Sequence, residues 1–216
     1  MHSPIRLAGL VLAAGNSLRM GTDKAMLPWP PPRQDASQPP RHTLLSAALA
    51  AFDPFTQLSV VAAGGNADAI AAIAGACGAY VVRNPAPENG QFSSLQIGLR
   101  AVLDHGCDAA VITPVDCPPL SHASLERLHF AFLGSLGANF WAVAPERDGL
   151  HGHPLFASLD LIEAFLGAPS SSNARQILHA HPARILYVPV PELLARAGMN
   201  TPEDYAAMNE ASTQEA

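Results

Sequence analysis

Short apolar runs alternate with longer stretches of helical periodicity along most of the chain. The apolar runs often contain β-branched residues and have the length of buried strands. They predict strands at residues 7–13, 58–62, 80–82, 109–113, 140–144, 154–157 and 184–188. Helices are predicted between them, at residues 44–52, 67–76, 94–103, 123–133, 159–166 and 174–180.

This alternation is typical of βαβ units and predicts a doubly wound, three-layer α/β/α domain with a mostly parallel sheet. We expect a single domain over residues 1–209 and a polar tail at 210–216. Ligands of such sheets bind beyond the carboxyl ends of the strands. The loops after Ala13, Ala62, Thr113 and Ala144 should therefore form the functional edge.

Two further segments do not follow this alternation, and their structure is predicted from their own residues. The proline-rich stretch at residues 28–40 predicts an irregular or extended insertion rather than a helix or strand. Near the carboxyl end, Thr201 is a good N-cap, Pro202 suits the first helical position, and Asp204 completes a capping box. A last helix should therefore begin there.

Composition and charge narrow the classes of function. The chain is 49% hydrophobic and 14% charged, as expected of a globular α/β protein. Its net charge of −6 argues against nucleic-acid binding, and no apolar run is long enough to span a bilayer. The three cysteines form no CxxC pair, which favours a reducing compartment. We expect a cytoplasmic protein that binds neither nucleic acid nor membrane.

The loop after the first predicted strand carries the strongest chemical signal. Leu12, Ala13, Ala14 and Gly15 are small or apolar residues, which lets a nucleotide approach backbone N–H groups. Arg19 and Lys24 follow, and Lys24 is the only lysine of the chain. The loop lacks the Gly-Lys-Ser/Thr of a Walker loop and the Gly-x-Gly-x-x-Gly of a dinucleotide site. Taken alone, it is also compatible with an ordinary strand-to-helix turn bearing two surface cations.

Residues 12–24 spell Leu-Ala-Ala-Gly-x-Ser-x-Arg-Met-Gly-x-x-Lys, and Met26-Leu27-Pro28 follow. This pattern resembles the signature of the MobA-like nucleotidyltransferases, and particularly that of the molybdenum cofactor cytidylyltransferase branch. The resemblance implies a fold like that of nucleotide-diphospho-sugar transferases. It also implies Mg²⁺-dependent transfer of CMP from CTP to the terminal phosphate of molybdopterin, with release of pyrophosphate. Arg19 and Lys24 would be the catalytic cations, and Leu12, Ala13, Ala14 and Gly15 would contact the nucleotide.

Asp116 follows the predicted strand at 109–113, where a carboxylate faces the functional edge of a parallel sheet. The resemblance implies that Asp116 and Asn200 bind Mg²⁺, although Val115 stands where the family has glycine. Without the resemblance, Asp116 could be a solvated loop carboxylate, and Asn200 would simply precede the last helix.

Ser93 and Ser94 stand before a predicted helix, and either is a natural N-cap. The resemblance implies that both contact the base or ribose. The pattern Gly90-x-x-x-Ser94-Leu95 is similar to the cytidylyl branch, as is the Ala-Ala-Gly at residues 13–15. CTP is therefore the expected donor.

His151-Gly152-His153-Pro154 contains a His-x-His pair, but two imidazoles without a third ligand are a weak metal signal. The resemblance implies instead that Gly152 and His153 contact the phosphorylated pterin acceptor, and His151 is expected to be a surface residue.

No buried general base stands out, and none is needed because the attacking phosphate oxygen is already anionic. Two alternatives remain open. The first is GTP as donor, or another phosphorylated acceptor such as a sugar phosphate. The second is a chaperone without turnover that binds the molybdenum cofactor. With a phosphorylated pterin as acceptor, a molybdoenzyme that receives the cofactor is a candidate partner.

Overall fold

The computed structural model describes residues 5–15, 20–31, 42–192 and 201–211, with side chains described through residue 206 in the last range. The strands in these ranges are β1 (Leu7–Ala13), β2 (Pro28–Trp29), β3 (His42–Thr43), β4 (Leu58–Ala63), β5 (Tyr80–Arg83), β6 (Ala109–Pro114), β7 (Ala142–Arg147), β8 (Leu150–His151), β9 (Leu155–Ala157) and β10 (Ile185–Pro189). The helices are α1 (Leu44–Phe52), α2 (Ala67–Ala76), α3 (Gln91–Asp104), α4 (His122–Ser135), α5 (Leu159–Gly167), α6 (Ala174–Ala180) and α7 (Pro202–Ala211).

The main sheet has the order β10-β7-β9-β6-β1-β4-β5, and β8 pairs with β7. β1 is parallel to both β4 and β6, β4 is parallel to β5, and β10 is parallel to β7. β9 runs antiparallel between β6 and β7. The predicted mostly parallel sheet is confirmed, and its central strand β1 supplies the loop with the strongest chemical signal.

Helices cover both faces of the sheet, which confirms the three-layer architecture. One buried cluster joins α1, α2 and α4 to the sheet, and the other joins α3, α5 and α6. Successive residues of β1 alternate between the clusters: Val11 belongs to the first and Leu10 to the second, each fully buried. Gly98 of α3 lies directly over Leu10, since a Cβ at this position would be 2.5 Å from Leu10 Cδ1.

Sequence periodicity located most of these elements. β1, α1, α2 and α6 begin and end at the predicted residues. The helix α3 begins at Gln91 rather than at residue 94 because Gly90, with φ of +92°, forms the turn that precedes it. The predicted N-cap role of Ser93 or Ser94 is therefore wrong, and both serines lie inside the first turn of the helix.

The proline-rich segment differs in part from the prediction of irregular chain. Its first residues form β2, which pairs antiparallel with β3, so Trp29 lies opposite His42. Residues 32–41 lie outside the described residues, and so do residues 212–216 of the predicted tail. The division into one domain, an insertion at 28–40 and a tail therefore remains a prediction.

The capping box of the last helix is confirmed. Thr201 N donates to Asp204 Oδ2 over 2.9 Å, and Asp204 N donates to Thr201 Oγ1 over 3.2 Å. Tyr205 of this helix donates its hydroxyl to the carbonyl of Pro28 over 2.5 Å. α7 is thereby attached to the chain that follows the first loop. In the described part of the chain, no helix has the length and apolar character needed to cross a bilayer.

Candidate functional site

The loop that follows β1 lies at the carboxyl edge of the parallel strands. Ala14 and Gly15 leave this edge, and the chain returns at a short 3₁₀ helix, Lys24–Met26. Asp23 caps that helix, because its Oδ1 accepts a hydrogen bond of 2.9 Å from Ala25 N. Arg19, predicted to be catalytic, lies outside the described residues.

Lys24 and Asp116 form an ion pair at this edge. Lys24 Nζ donates to Asp116 Oδ2 over 2.8 Å, and the two side chains are 13% and 21% exposed. Val115 N donates to Leu12 O over 3.0 Å, so the chain after β6 stays against the end of β1. The two loops that carry the predicted cation and the predicted metal ligand therefore meet.

A cleft of about 240 Å³ surrounds this pair, and we call it the inner cleft. The predicted nucleotide-binding residues Leu12, Ala13, Ala14 and Gly15 line one side of it. The other lining residues are Asp23, Lys24, Pro87, Gly90, Gln91, Ser94, Val115 and Asp116. It combines apolar walls, small residues that expose the main chain and a charged pair, and this combination suits a ligand that has both a ring and anionic groups.

Ser93 and Ser94 differ in where they lie. Asn84 Nδ2 donates to the hydroxyls of both serines over 2.9 Å, and Ser93 Oγ donates to Gly90 O over 2.8 Å. Ser94 lines the inner cleft, whereas Ser93 lines a separate depression beyond α3. The structure thus places Ser94, but not Ser93, beside the predicted nucleotide-binding residues.

A second, larger cleft of about 970 Å³ continues from the first, and we call it the broad cleft. The two clefts share Leu12, Gly90, Gln91 and Asp116. The predicted acceptor residues Gly152 and His153 line the broad cleft. A ligand in the broad cleft can therefore reach a ligand in the inner cleft at Asp116.

His153 is close enough to Asp116 for the carboxylate to influence the pKa of the imidazole. The surface of His153 is exposed overall, but protein atoms crowd its imidazole, and this desolvation lowers the pKa of His153 below its ordinary value. The backbone of Ile112 and the negative charge of Asp116 oppose that shift. The neutral imidazole is therefore the main form near pH 7, and it can donate or accept a hydrogen bond without adding charge.

The far end of the broad cleft has aromatic and basic residues. The rings of His151 and Tyr187 are stacked, with centroids 3.6 Å apart and planes inclined by 9°. His151 is exposed, as expected from the sequence, but it is also part of this aromatic pair. Arg175, near the start of α6, brings an exposed guanidinium to the same cleft.

The residues that can hold a divalent cation are few. Asn200, the second predicted ligand, lies outside the described residues. Among the residues that the structure describes, there is no group of three His, Cys, Asp or Glu side chains able to hold a metal. The Asp116 carboxylate fits a cation such as Mg²⁺, which usually takes one or two protein oxygens, with phosphates and water completing its shell.

Cys117 follows Asp116 and is not poised for thiolate chemistry. Burial and the Asp116 carboxylate raise its pKa to about 12, against the opposing effect of Lys24. The thiol is therefore protonated throughout the neutral range. A covalent cysteine intermediate is not supported at this position.

Sequence reasoning missed several residues around the inner cleft. Asn84 supports both serines and has 3% exposure, and its own Oδ1 accepts from Ala86 N over 2.9 Å. Asn66 and Asp23 form a second polar link, 2.6 Å long. The only available signal was chemical: Asp23 precedes Lys24, and Asn66 and Asn84 are polar residues in the loops that follow predicted strands.

The chain is similar to known proteins over nearly its whole length. The profile of the MobA-like NTP transferase domain matches residues 9–185 of this chain. A relative named probable molybdenum cofactor guanylyltransferase, from Mycobacterium avium, is 30% identical over 218 residues, covering 98% of this chain and 99% of the relative. The molybdenum cofactor cytidylyltransferase of Escherichia coli is 24% identical over 206 residues, covering 95% and 96%.

Solved structures share the fold. The crystal structure of Rv0371c from Mycobacterium tuberculosis aligns with a TM-score of 0.75 at 24% identity, covering 97% of this chain and 100% of that one. A manganese complex of the same protein aligns with a TM-score of 0.68 at 20% identity, covering 95% and 99%. The same layered sheet therefore occurs along the whole length of these proteins.

Proposed function

This chain belongs to the MobA-like NTP transferase domain family, and we propose that it transfers CMP from CTP to the terminal phosphate of molybdopterin. Pyrophosphate is the second product. The proposal is supported by two curated relatives that are named molybdenum cofactor nucleotidyltransferases and that align over nearly their whole length.

One observation carries the assignment of the site: Lys24 and Asp116 meet in a cleft that is also lined by Gly15 and that opens into a larger one. A cation, a carboxylate and accessible backbone N–H groups are the groups that a triphosphate with a metal ion requires. The larger cleft leaves room for an acceptor on the far side of Asp116.

In the proposed reaction a terminal phosphate oxygen of the acceptor attacks the α-phosphorus of the nucleotide. The bond between this phosphorus and the oxygen bridging to the β-phosphate breaks, and pyrophosphate leaves. Lys24 stabilises negative charge on the phosphates, and Arg19 is proposed to do the same. The nucleophile is already anionic, so no side chain has to remove a proton.

Mg²⁺ is the proposed metal, with Asp116 and Asn200 as its protein ligands, and it would supply charge neutralisation to the triphosphate. The manganese complex of Rv0371c supports a divalent cation in this fold. In the structure Lys24 donates to Asp116 Oδ2. Asp116 would hold the cation through this carboxylate, and the ammonium group of Lys24 would then be available to the phosphates.

The broad cleft is the proposed acceptor site. Gly152 and His153 lie near Asp116, where the phosphate of the acceptor must approach the nucleotide. The stacked pair of His151 and Tyr187 offers a flat apolar wall, and Arg175 offers hydrogen-bond donors in a planar fork. A flat, conjugated, polar-edged ring such as a pterin fits these surroundings better than a sugar does.

The choice of donor has two candidates. The Ala-Ala-Gly at residues 13–15 resembles the cytidylyl branch, and Ala14 adds a methyl group to the wall of the inner cleft where glycine would leave room for a larger base. The name of the 30% identical Mycobacterium avium relative favours GTP instead. CTP is the first candidate and GTP the second.

The test is a donor and acceptor panel with the purified protein. Pyrophosphate release is measured with Mg²⁺, molybdopterin and each of CTP, GTP, ATP and UTP, and the organic product is identified by mass spectrometry. We expect CTP to be used at least about tenfold better than GTP, a difference of about 1.4 kcal/mol. Reactions without acceptor, and with a sugar phosphate in its place, are the controls.

Each other outcome changes the proposal in a defined way. A preference for GTP replaces the cytidylyl assignment with a guanylyl one, and release that requires a sugar phosphate replaces the acceptor. If no nucleotide gives pyrophosphate above background with any acceptor, the enzymatic proposal is wrong. A chaperone that binds the molybdenum cofactor is then the remaining candidate.

A further inference from the structure

Asn66 stands at the N-cap position of α2, yet its side chain makes no capping hydrogen bond with that helix. Its amide is used elsewhere. Nδ2 donates to Ala13 O over 2.9 Å and to Asp23 Oδ2 over 2.6 Å, while Oδ1 accepts from Gly64 N over 3.1 Å. One side chain thus joins the end of β1, the loop after β4 and the residue before Lys24.

Asp23 lies in a cleft proposed to bind an anionic ligand, where a carboxylate is unfavourable unless hydrogen-bond donors hold it. It lines the inner cleft, in which the proposed ligand is a triphosphate. Oδ1 accepts from Ala25 N and Oδ2 accepts from Asn66 Nδ2. Both carboxylate oxygens are therefore held by N–H donors, so Asp23 fixes the backbone on both sides of Lys24.

Backbone packing near Asn66 leaves little freedom. A Cβ at Gly64 would lie 2.8 Å from Ala14 O and 3.3 Å from Pro87 Cβ. The loop after β4 thus lies directly against Ala14, one of the predicted nucleotide-binding residues. A bridge from Asn66 to Asp23 across this contact sets the position of the 3₁₀ helix that carries Lys24.

We propose that Asp23 and Asn66 are positioning residues, which we call the Asp23–Asn66 bridge, and that they hold Lys24 where it meets the phosphates of the nucleotide. The proposal rests on the proposed function, because it assigns the bridge a role in turnover through Lys24. It predicts that loss of the bridge misplaces the ammonium group without unfolding the protein. A misplacement of about 1 Å can lower turnover by about 100-fold.

The variants that test the bridge are Asn66→Ala, Asn66→Asp, Asp23→Asn and the exchanged pair D23N/N66D. Asn66 Nδ2 lies 2.6 Å from Asp23 Oδ2, so Asn66→Asp would bring a second carboxylate oxygen to about this position. The repulsion between the two carboxylates should make this variant the most damaging of the four. The exchanged pair restores an amide facing a carboxylate and should recover part of the loss. Asp68→Asn is the matched control, because Asp68 lies on the same helix with a 91% exposed side chain.

Turnover gives the first readout. We expect N66A to lower kcat at least about tenfold, with a smaller change in KM for the nucleotide, and D68N to leave both unchanged. In a Lys24→Ala background, the further effect of N66A should shrink to about twofold or less, because the bridge acts through Lys24. An equal fold-loss in both backgrounds would overturn the proposal.

A second readout needs no turnover. Lys24 is the only lysine of the chain, so ¹³C-lysine labelling gives a single Cε signal in an NMR spectrum. We expect N66A and D23N to move this signal toward that of free lysine, while D68N leaves it in place and the far-ultraviolet circular dichroism stays unchanged. An unmoved signal in N66A contradicts the bridge, whereas a wild-type protein without pyrophosphate release contradicts only the proposed function.

Discussion

Lys24 Nζ lies 2.8 Å from Asp116 Oδ2, although the two residues are 92 positions apart in the chain. They meet because β1 and β6 are parallel neighbours, with Leu12 paired to Pro114, so the loops after both strands leave the same edge of the sheet. The ion pair thereby marks the point at which the inner and broad clefts join.

Lys24→Ala should lower kcat for pyrophosphate release by about 10²–10³, the loss that follows removal of one preorganised charge-stabilising group. The free energy of unfolding should change little, since the side chain lies at the wall of a cleft rather than in the core. Arg83→Ala, which removes an exposed surface cation, is the control. A loss of less than about fivefold in Lys24→Ala would assign the catalytic charge to another residue.

Asp116→Asn should raise the concentration of Mg²⁺ needed for half-maximal activity by at least about tenfold, because a neutral amide is a weaker ligand for a hard cation than a carboxylate. Asp148→Asn serves as control, since the Asp148 side chain is 83% exposed in the turn between β7 and β8. The measurement is a Mg²⁺ titration of initial rates. An unchanged midpoint in Asp116→Asn would remove Asp116 from the metal site.

Gly64→Ala and Gly65→Ala form a matched pair that tests the packing beneath the inner cleft. A Cβ at Gly64 would meet Ala14 O at 2.8 Å, whereas one at Gly65 meets nothing within 4 Å. We expect the first to lower the free energy of unfolding by about 1–3 kcal/mol and the second to change it by less than about 0.5 kcal/mol. Urea denaturation measures both, and equal effects would contradict the close approach.

His129 should make the stability depend on pH. Burial beside Phe55 and Phe156 lowers the pKa of His129 in the folded protein. As the pH falls below about 6.5, the unfolded chain therefore binds the proton first, and the free energy of unfolding decreases. This loss ends once the folded form is protonated as well.

Denaturation curves between pH 5 and pH 8 measure that dependence. His129→Gln should reduce it and leave the part that the lowered pKa of His153 contributes, whereas the control His179→Gln, at an exposed position of α6, should leave it as in the wild type. If His129→Gln retains the full decrease below about pH 6.5, the dependence belongs to other groups.

The fold could be predicted from the sequence largely because buried strands leave a strong periodic signal. Val11 and Leu10 pack into opposite clusters, so the whole of β1 is apolar and its limits are plain. The two-residue strands β2 and β8 are too short to leave a comparable pattern. The early start of α3 depends on the conformation of Gly90, which the sequence allows but does not require.

Site residues that the order of the strands brings together were predictable from the sequence. Residues that meet only through a contact between two single side chains were not. Lys24 and Asp116 follow two apolar strands, and the rule for parallel sheets places both at one edge. Asn66 and Asp23 are isolated polar residues whose contact spans 43 positions, and no local pattern predicts such a pair. Arg19 and Asn200 lie outside the described residues, so their roles remain predictions.

A crystal structure of the protein with a non-hydrolysable CTP analogue and Mn²⁺, located by anomalous scattering, would show directly whether Lys24 and Asp116 bind the nucleotide and its metal. We expect the triphosphate in the inner cleft, the metal on an Asp116 carboxylate oxygen, and Lys24 Nζ moved from Asp116 to a phosphate oxygen. A nucleotide bound away from Lys24, or a metal that does not touch Asp116, would contradict this expectation.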